Sequence, residues 1–205
     1  TGGYGGFGEK GVRAYRDILK NDPDNVEALL GLARSHMLDA QMRLPGRPGA
    51  GTLEQIEKRH EEGLAEAAKA LARARELAPR DPRGPILTGL LRRWEGDLEG
   101  AVEMFAASGE DPRAQAALAI TLAALAQADE ALAPARRAAA AFPDSPPVQQ
   151  TAAGVALLCG DAPDAIMRLE RLREKDPLDP VTLRLLALAC RAGGAAKRAR
   201  ATEQI

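Results

Sequence analysis

Gly3, Gly5 and Gly8 open the chain in the spacing G-x-G-x-x-G, a pattern whose backbone can cradle nucleotide phosphates. That chemistry needs a strand before the glycines and a helix after them, so that the phosphate meets the helix N-terminus. Only two residues precede Gly3, and no stretch of the chain reads as a strand. A P-loop fares no better. Glu9, Lys10 and Gly11 follow Gly8, so lysine comes one place late and no Ser or Thr is in position to hold magnesium. Residues 1–8 are therefore expected to be a flexible glycine-rich lead-in, with Tyr4 and Phe7 available to pack on the first helix.

Other reactive side chains are sparse and scattered. His36 falls on the inward face of its helix, where core packing is its expected role. His60 stands among Glu57, Arg59, Glu61 and Glu62, where it is expected to face solvent. The two are not presented as a ligand pair, and Cys159 and Cys190 lack the clustered spacing of a zinc site, so no metal is expected. The cysteines read as buried thiols rather than a disulfide. The serines, Ser35, Ser108 and Ser145, include none in a nucleophile elbow, and a catalytic site needs nucleophile, base and stabiliser to converge. The chain is expected to be no enzyme, with no catalytic residues and no cofactor. The glutamates between Glu54 and Glu66 alternate with Lys58, Arg59 and Lys69 at helical spacing, which points to a salt-bridged, solvated face.

Bulk properties narrow the partner class. With a formal net charge of −1 over 205 residues, the chain has no general basic field to hold nucleic acid. No apolar run is long enough to cross a bilayer, so no direct membrane insertion is expected of this segment, while its compartment, cytoplasmic or periplasmic, stays open. Aromatics are only 3% of residues, and alanine, leucine and arginine dominate. Sustained alternation of β-branched residues is missing, so the ordered chain should be almost wholly helical.

Internal repetition carries the organisation. Counting back from Pro23, Pro79, Pro143 and Pro177, a small residue stands twelve places earlier (Gly11, Ala67, Ala131, Ala165). Tyr15, Leu71, Ala135 or Leu169 stands eight earlier, and Ile18, Ala74, Ala138 or Leu172 five earlier. These offsets share one helix face, and proline then ends the helix. A second helix follows each turn, as in VEALLGLARSHML, PRAQAALAITLAAL and PVTLRLLALACRA, several leading into turns at Gly96-Asp97, Gly160-Asp161 and Gly193-Gly194. Pro143 to Pro177 is 34 residues, and with the small, large, small and proline pattern this unit resembles the tetratricopeptide repeat.

The resemblance covers residues 9–205 and implies an all-α, right-handed superhelical solenoid of stacked antiparallel helix pairs. About five repeats are expected, partial at both ends. The unit from Pro82 to Asp111 is short and carries Pro85 and Thr88 where large apolar residues are preferred, so looser packing or a changed helix angle is expected there. Between Pro23 and Pro79 the spacing grows to 56 residues, an insertion at about 39–62. Leu44 to Gly51 should be a mobile loop. Thr52 with Gln55 makes a capping box that opens one long helix from about Leu53 to Ala78, its first half overhanging the array. The pattern starts at a second helix and stops in ARATEQI without a polar capping helix, as expected of an excised region or ordered fragment.

The family resemblance also implies that first helices line a concave groove that takes an extended peptide or a partner's helix. Helical register places Leu30, Arg34 and Met37, then Arg83, Ile86, Leu90 and Arg93, on that face. Arg113, Ile120, Gln150, Leu157, Arg184, Leu188 and Arg191 continue it. The expectation is an apolar floor edged by arginines that pair with an acidic, partly apolar peptide. The competing expectation is that these arginines cover core residues and pair with neighbouring acids. The lysine and asparagine set of the family's carboxylate-clamp subclass is not matched, so chaperone C-termini are not expected ligands. The reading is a non-enzymatic scaffold for a protein or peptide partner. The second reading is a self-associating assembly protein, a dimer formed end to end or through the inserted helix. Arginine preferred over lysine is compatible with a bacterial source, where envelope or secretion assembly would be a suitable role.

Overall fold

The computed structural model describes residues 8–42 and 52–194, and those residues form ten α-helices with no strand. In order they are α1 (Glu9–Asn21), α2 (Val26–Met42), α3 (Leu53–Leu77), α4 (Arg83–Glu95), α5 (Leu98–Ala107), α6 (Pro112–Ala124), α7 (Ala128–Ala141), α8 (Pro146–Leu158), α9 (Ala162–Lys175) and α10 (Pro180–Ala192). Even-numbered helices are the first helices of the repeats and odd-numbered ones the second. The glycine lead-in before Gly8, the segment 44–51 and the ARATEQI end lie outside the described residues. The chain divides into two compact units, Thr1–Ser108 and Gly109–Ile205, and the division falls at the end of the short repeat.

Each proline turn is built the same way. The residue before proline (Asp22, Ala78, Phe142, Asp176) donates its N–H to the carbonyl four residues back. Its own carbonyl accepts from the N–H three residues on, at Asn25, Asp81, Ser145 and Asp179. A ring that fixes φ and removes a donor suits that place, where no helical partner is needed.

The return turns repeat a second device. Asp97, Gln127 and Asp161 donate their N–H groups to Arg92, Leu122 and Ala156 carbonyls at 2.9, 2.9 and 2.8 Å, and the residue before each is left-handed. This is the Schellman closure, which needs positive φ. Gly96 and Gly160 supply it without strain, while Ala126 holds φ 61° in the same place. Asp97 and Asp161 also cap the next helix by accepting from Gly100 and Asp164 N–H, which Gln127 does not do.

Small residues set how closely paired helices approach. In the first unit a Cβ on Gly31 would land 2.3 Å from the Tyr15 ring, and one on Gly89 2.6 Å from the ring of Phe105. Phe105 is fully buried, so the short repeat is packed tightly at this point, against the expectation of looseness. Ala67, Leu71 and Ala74 of α3 close on Leu29, Leu32 and Ala33 of α2. In the second unit Ala165, Leu169 and Leu172 of α9 pack with Ala153, Leu186 and Cys190. The small positions Gly11, Ala67, Ala131 and Ala165 are all buried, as their spacing predicts. Ile18 differs: it is 43% exposed, because α1 packs only on α2 among the described helices.

The second unit also contains a polar staple used twice. Gln115 and Gln149, each the fourth residue of its helix, are buried and donate Nε2 to the Gly109 and Ala139 carbonyls at 2.7 and 2.8 Å. Their Oε1 atoms accept from Arg137 and Arg168. A buried amide satisfied on both sides ties the turn before its helix, at Gly109, or the last turn of the preceding helix, at Ala139, to the second helix after it.

The capping box holds: Gln55 N–H donates to Thr52 Oγ1 and Thr52 N–H to Gln55 Oε1. The described side chains from Leu53 to Glu62 are exposed, as expected of an overhang.

Two substitutions check this account by urea denaturation. Ala126→Gly should stabilise the chain by about 1 kcal/mol, because it removes the left-handed penalty of a Cβ. Gly89→Ala should cost about 1–3 kcal/mol by overpacking against Phe105.

Candidate functional site

The first helices α6, α8 and α10 lie side by side in the second unit and leave a hollow of about 600 Å3 on their shared face. Ile120 comes from α6, Gly154, Leu157 and Leu158 from α8, and Leu185 and Leu188 from α10. Ile120 is 42% exposed, Leu158 63% and Leu188 47%, an unusual display of large apolar side chains on neighbouring helices. The polar side chain in the wall, Thr151, donates its hydroxyl to the Pro147 carbonyl of its own helix.

Gly154 deepens the hollow. A Cβ there would meet nothing within 4 Å, in contrast to Gly31 and Gly89. Mid-helix glycine costs about 0.5–1 kcal/mol relative to alanine, and no neighbouring atom requires it at this position.

In the first unit the corresponding face is tighter. Leu30, Met37 and Ile86 are buried there. A hollow of about 150 Å3 remains, walled by Arg34, Met37, Leu90, Arg93 and Trp94. Of the residues assigned to a groove from register, Ile120, Leu157 and Leu188 therefore meet on one surface, and Arg34, Met37, Leu90 and Arg93 on another.

The remaining assigned residues line neither hollow: Leu30 and Ile86 are buried, and several others are engaged by near neighbours. Arg83 donates Nη1 to Glu27 Oε2 at 2.9 Å and Nη2 to Asp81 Oδ2 at 2.6 Å. The hydrogen bonds that it donates to Asp81 and then Glu27 hold its guanidinium firmly charged, and the bond from Arg83 keeps Glu27 below the usual carboxylate range. Arg113 forks onto Asp111 at 3.1 and 2.8 Å, which likewise lowers the Asp111 carboxyl. Gln150 donates to Asp179 Oδ2 at 2.6 Å and to Thr182 Oγ1 at 3.1 Å, joining α8 to the start of α10. Thr182, whose hydroxyl and N–H both donate to Asp179, is the main cause of the lowered Asp179 pKa. Arg184 and Arg191 are exposed on α10 outside the walls of the hollow. The site is thus more apolar and less positive than six unpartnered arginines would make it.

The two histidines, apart in sequence, line one polar cavity of about 490 Å3 with Arg16, Asp39, Arg59 and Glu66. His36 is buried, with Nε2 lacking a hydrogen-bond partner. His60 is exposed and meets Trp94 edge-on at 6.3 Å. Among the described residues no group of His, Cys, Asp or Glu has the geometry to hold a metal ion. Ser35 directly precedes His36, but its buried Oγ is also unpartnered, so the two do not form a nucleophile and base pair. Cys190 is buried. Cys159 is half-buried just past the end of α8, donating Sγ–H to the Ala128 carbonyl at 3.2 Å, and burial pushes its thiol pKa up. Neither cysteine is in a disulfide. No helix among the described residues is long and apolar enough to cross a membrane.

No family model matches the chain, and no characterised protein matches it in sequence. Solved structures match its fold. YrrB, a TPR protein with an unusual peptide-binding site, aligns over 94% of this chain and 90% of its own, with a TM-score of 0.67 and 15% identity. PilW, a widely conserved type IV pilus biogenesis factor, aligns over 94% of this chain and 81% of its own, at 0.67 and 21% identity. TTC0263, a thermophilic TPR protein in Thermus thermophilus, aligns over 90% and 88%, at 0.57 and 19% identity. The chain has the tetratricopeptide-repeat fold, an all-α solenoid of antiparallel helix pairs.

Burial of His36, and then the nearby Arg16 charge, lower its pKa below the ordinary 6.5, with Glu66 and Asp39 opposing weakly. Because the unfolded chain takes up that proton first, stability is complete above pH 6.5 and falls as pH drops below it. Urea midpoints measured from pH 7.5 to 5 should decline in the native chain and flatten in His36→Gln.

Proposed function

We propose that this tetratricopeptide-repeat fold is a non-enzymatic scaffold that holds a segment of a partner protein against its first helices. The observation that carries the reading is the apolar hollow around Gly154, where Ile120, Leu158 and Leu188 stay exposed and a glycine leaves room that packing within the chain does not use. An apolar side chain of a bound peptide or helix would fill that room and recover the hydrophobic free energy left by the exposed walls. Arg184 on α10 favours a carboxylate beside that anchor, as does Arg93 in the smaller hollow of the first unit. The near-neutral net charge supports a protein partner over nucleic acid. The fold shared with YrrB, described with a peptide-binding site, and with PilW, described as a biogenesis factor, supports the same class of role.

Self-association is a second reading, favoured by the exposed start of α3, where Leu53 is 59% exposed on a helix whose start is fixed by its cap. Light scattering over a range of concentrations separates the two, since a monomer at high concentration argues against assembly through α3.

The decisive variant is Gly154→Phe. Its ring should occupy the hollow while circular dichroism and thermal melting stay native, and the partner captured from lysate by the native chain should be lost. Retention of the same partner by a folded Gly154→Phe chain would place binding elsewhere and sink the hollow as the site.

A further inference from the structure

The second helices of the second unit carry another cavity, which binding along the first helices does not use. It measures about 320 Å3 and lies between α7 and α9, with Gln149 of α8 in its wall. Four cations line it, Arg136, Arg168, Arg171 and Lys175, and among the described residues no carboxylate does. Part of this charge has an ordinary cause, because helix C-termini attract cations into their last turn. Lys175 ends α9 and fits that account. The three arginines stand earlier in their helices and do not. The C-terminus of α7 is already served by Gln149, whose Nε2 donates to the Ala139 and Phe142 carbonyls at 2.8 and 3.1 Å.

The four cations are held unequally. Arg168 is fixed and mostly buried: Nε donates to both oxygens of Asp164 at 3.0 Å, and Nη1 to Gln149 Oε1 at 3.1 Å. Arg136 meets Asp161 at 3.0 Å and Lys175 meets Asp144 at 2.5 Å. Both bridges are solvent-exposed, and such pairs contribute little to stability, so exchanging their carboxylates for another anion costs little. Among the described residues no carboxylate pairs with Arg171. One preset guanidinium, one unpaired guanidinium and two cations in weak bridges thus surround a space deep enough for a tetrahedral anion and the carbon that bears it.

We propose that this cavity binds a phosphomonoester group, seated between Arg168 and Arg171, with Arg136 and Lys175 turning from Asp161 and Asp144 to its outer oxygens. A phosphomonoester carries nearly two charges and three strong acceptor oxygens, so it can engage donors arriving from α7 and α9 together. A carboxylate offers two oxygens and is satisfied by a single fork. The group is the same on a phosphorylated side chain and on a small phosphorylated molecule. This site stands apart from the apolar hollow, and either can fail without the other.

The test titrates the isotope-labelled full chain at constant ionic strength, following amide shifts. The probes are inorganic phosphate, a short phosphoserine peptide and its unphosphorylated form. Saturable shifts are expected in residues 139–149 and 168–175 with phosphorylated probes only. Affinity should fall about tenfold or more in the Arg171→Ala, Lys175→Ala double variant. It should hold in Arg13→Ala, Lys20→Ala, which removes the same charge from the exposed face of α1. Saturation by inorganic phosphate comparable to the phosphopeptide assigns a small-molecule source, and much tighter phosphopeptide binding assigns a partner segment. Absence of saturation with both phosphorylated probes, equal binding of the unphosphorylated peptide, or equal weakening in the two double variants overturns the proposal.

Discussion

Everything in this chain depends on how closely two helices can lie when one of them presents a residue without bulk. Tyr15 over Gly31 and Phe105 over Gly89 show the limit, where a single added carbon would overlap a ring. Elsewhere alanine takes that place in the core, as at Ala165 of α9 in one buried cluster with Leu186 of α10. Close approach lets a chain with few aromatics bury enough surface around each helix pair, since dispersion depends on contact at van der Waals distance. It also explains why alanine is so abundant: it is at once the best helix former and the residue that lets the partner come near.

Once the pairs are closed, their outer faces are free to differ, and they do. In the second unit the first helices leave large apolar side chains in the open, while the second helices gather guanidinium groups. Between them stand the buried amides of Gln115 and Gln149, the first reaching from the turn at Gly109 and the second from the end of α7 to the second helix that follows. That arrangement adds rigidity with a neutral amide on one side and a guanidinium of the next helix on the other.

Much of this was legible from residue spacing. The buried small positions, the proline turns and the capping box at Thr52 all lie where local pattern puts them, because each depends on atoms within a few residues. The groove residues were harder, since register tells which way a side chain points but not what stands beside it. Arg83 and Arg113 both follow an Asp-Pro pair, and the aspartate two places back captures the guanidinium in each case. In that repeated triplet the arginine pairs with a neighbouring acid, the competing expectation for these side chains. Asp179 and Thr182, about thirty residues on, claim the amide of Gln150, a pairing that register alone does not reveal. Ala126 gave no signal at all, because the glycine that marks the same turn elsewhere is missing. The shared cavity of His36 and His60 needed the insertion to fold back beside α2, a long-range fact.

The exposed start of α3 has a consequence for how the protein responds to heat. Its opening turns, from Leu53 to Lys58, present described side chains to water, so their helicity rests on the Thr52 cap and local propensity rather than on a core. Helical segments shorter than about 12–15 residues are marginal in water without tertiary support. This arm should therefore unwind gradually from its tip while the packed remainder of α3, around Leu71, stays intact. Its effective length then varies continuously with temperature, and the protein carries a graded thermal element joined to a cooperative one.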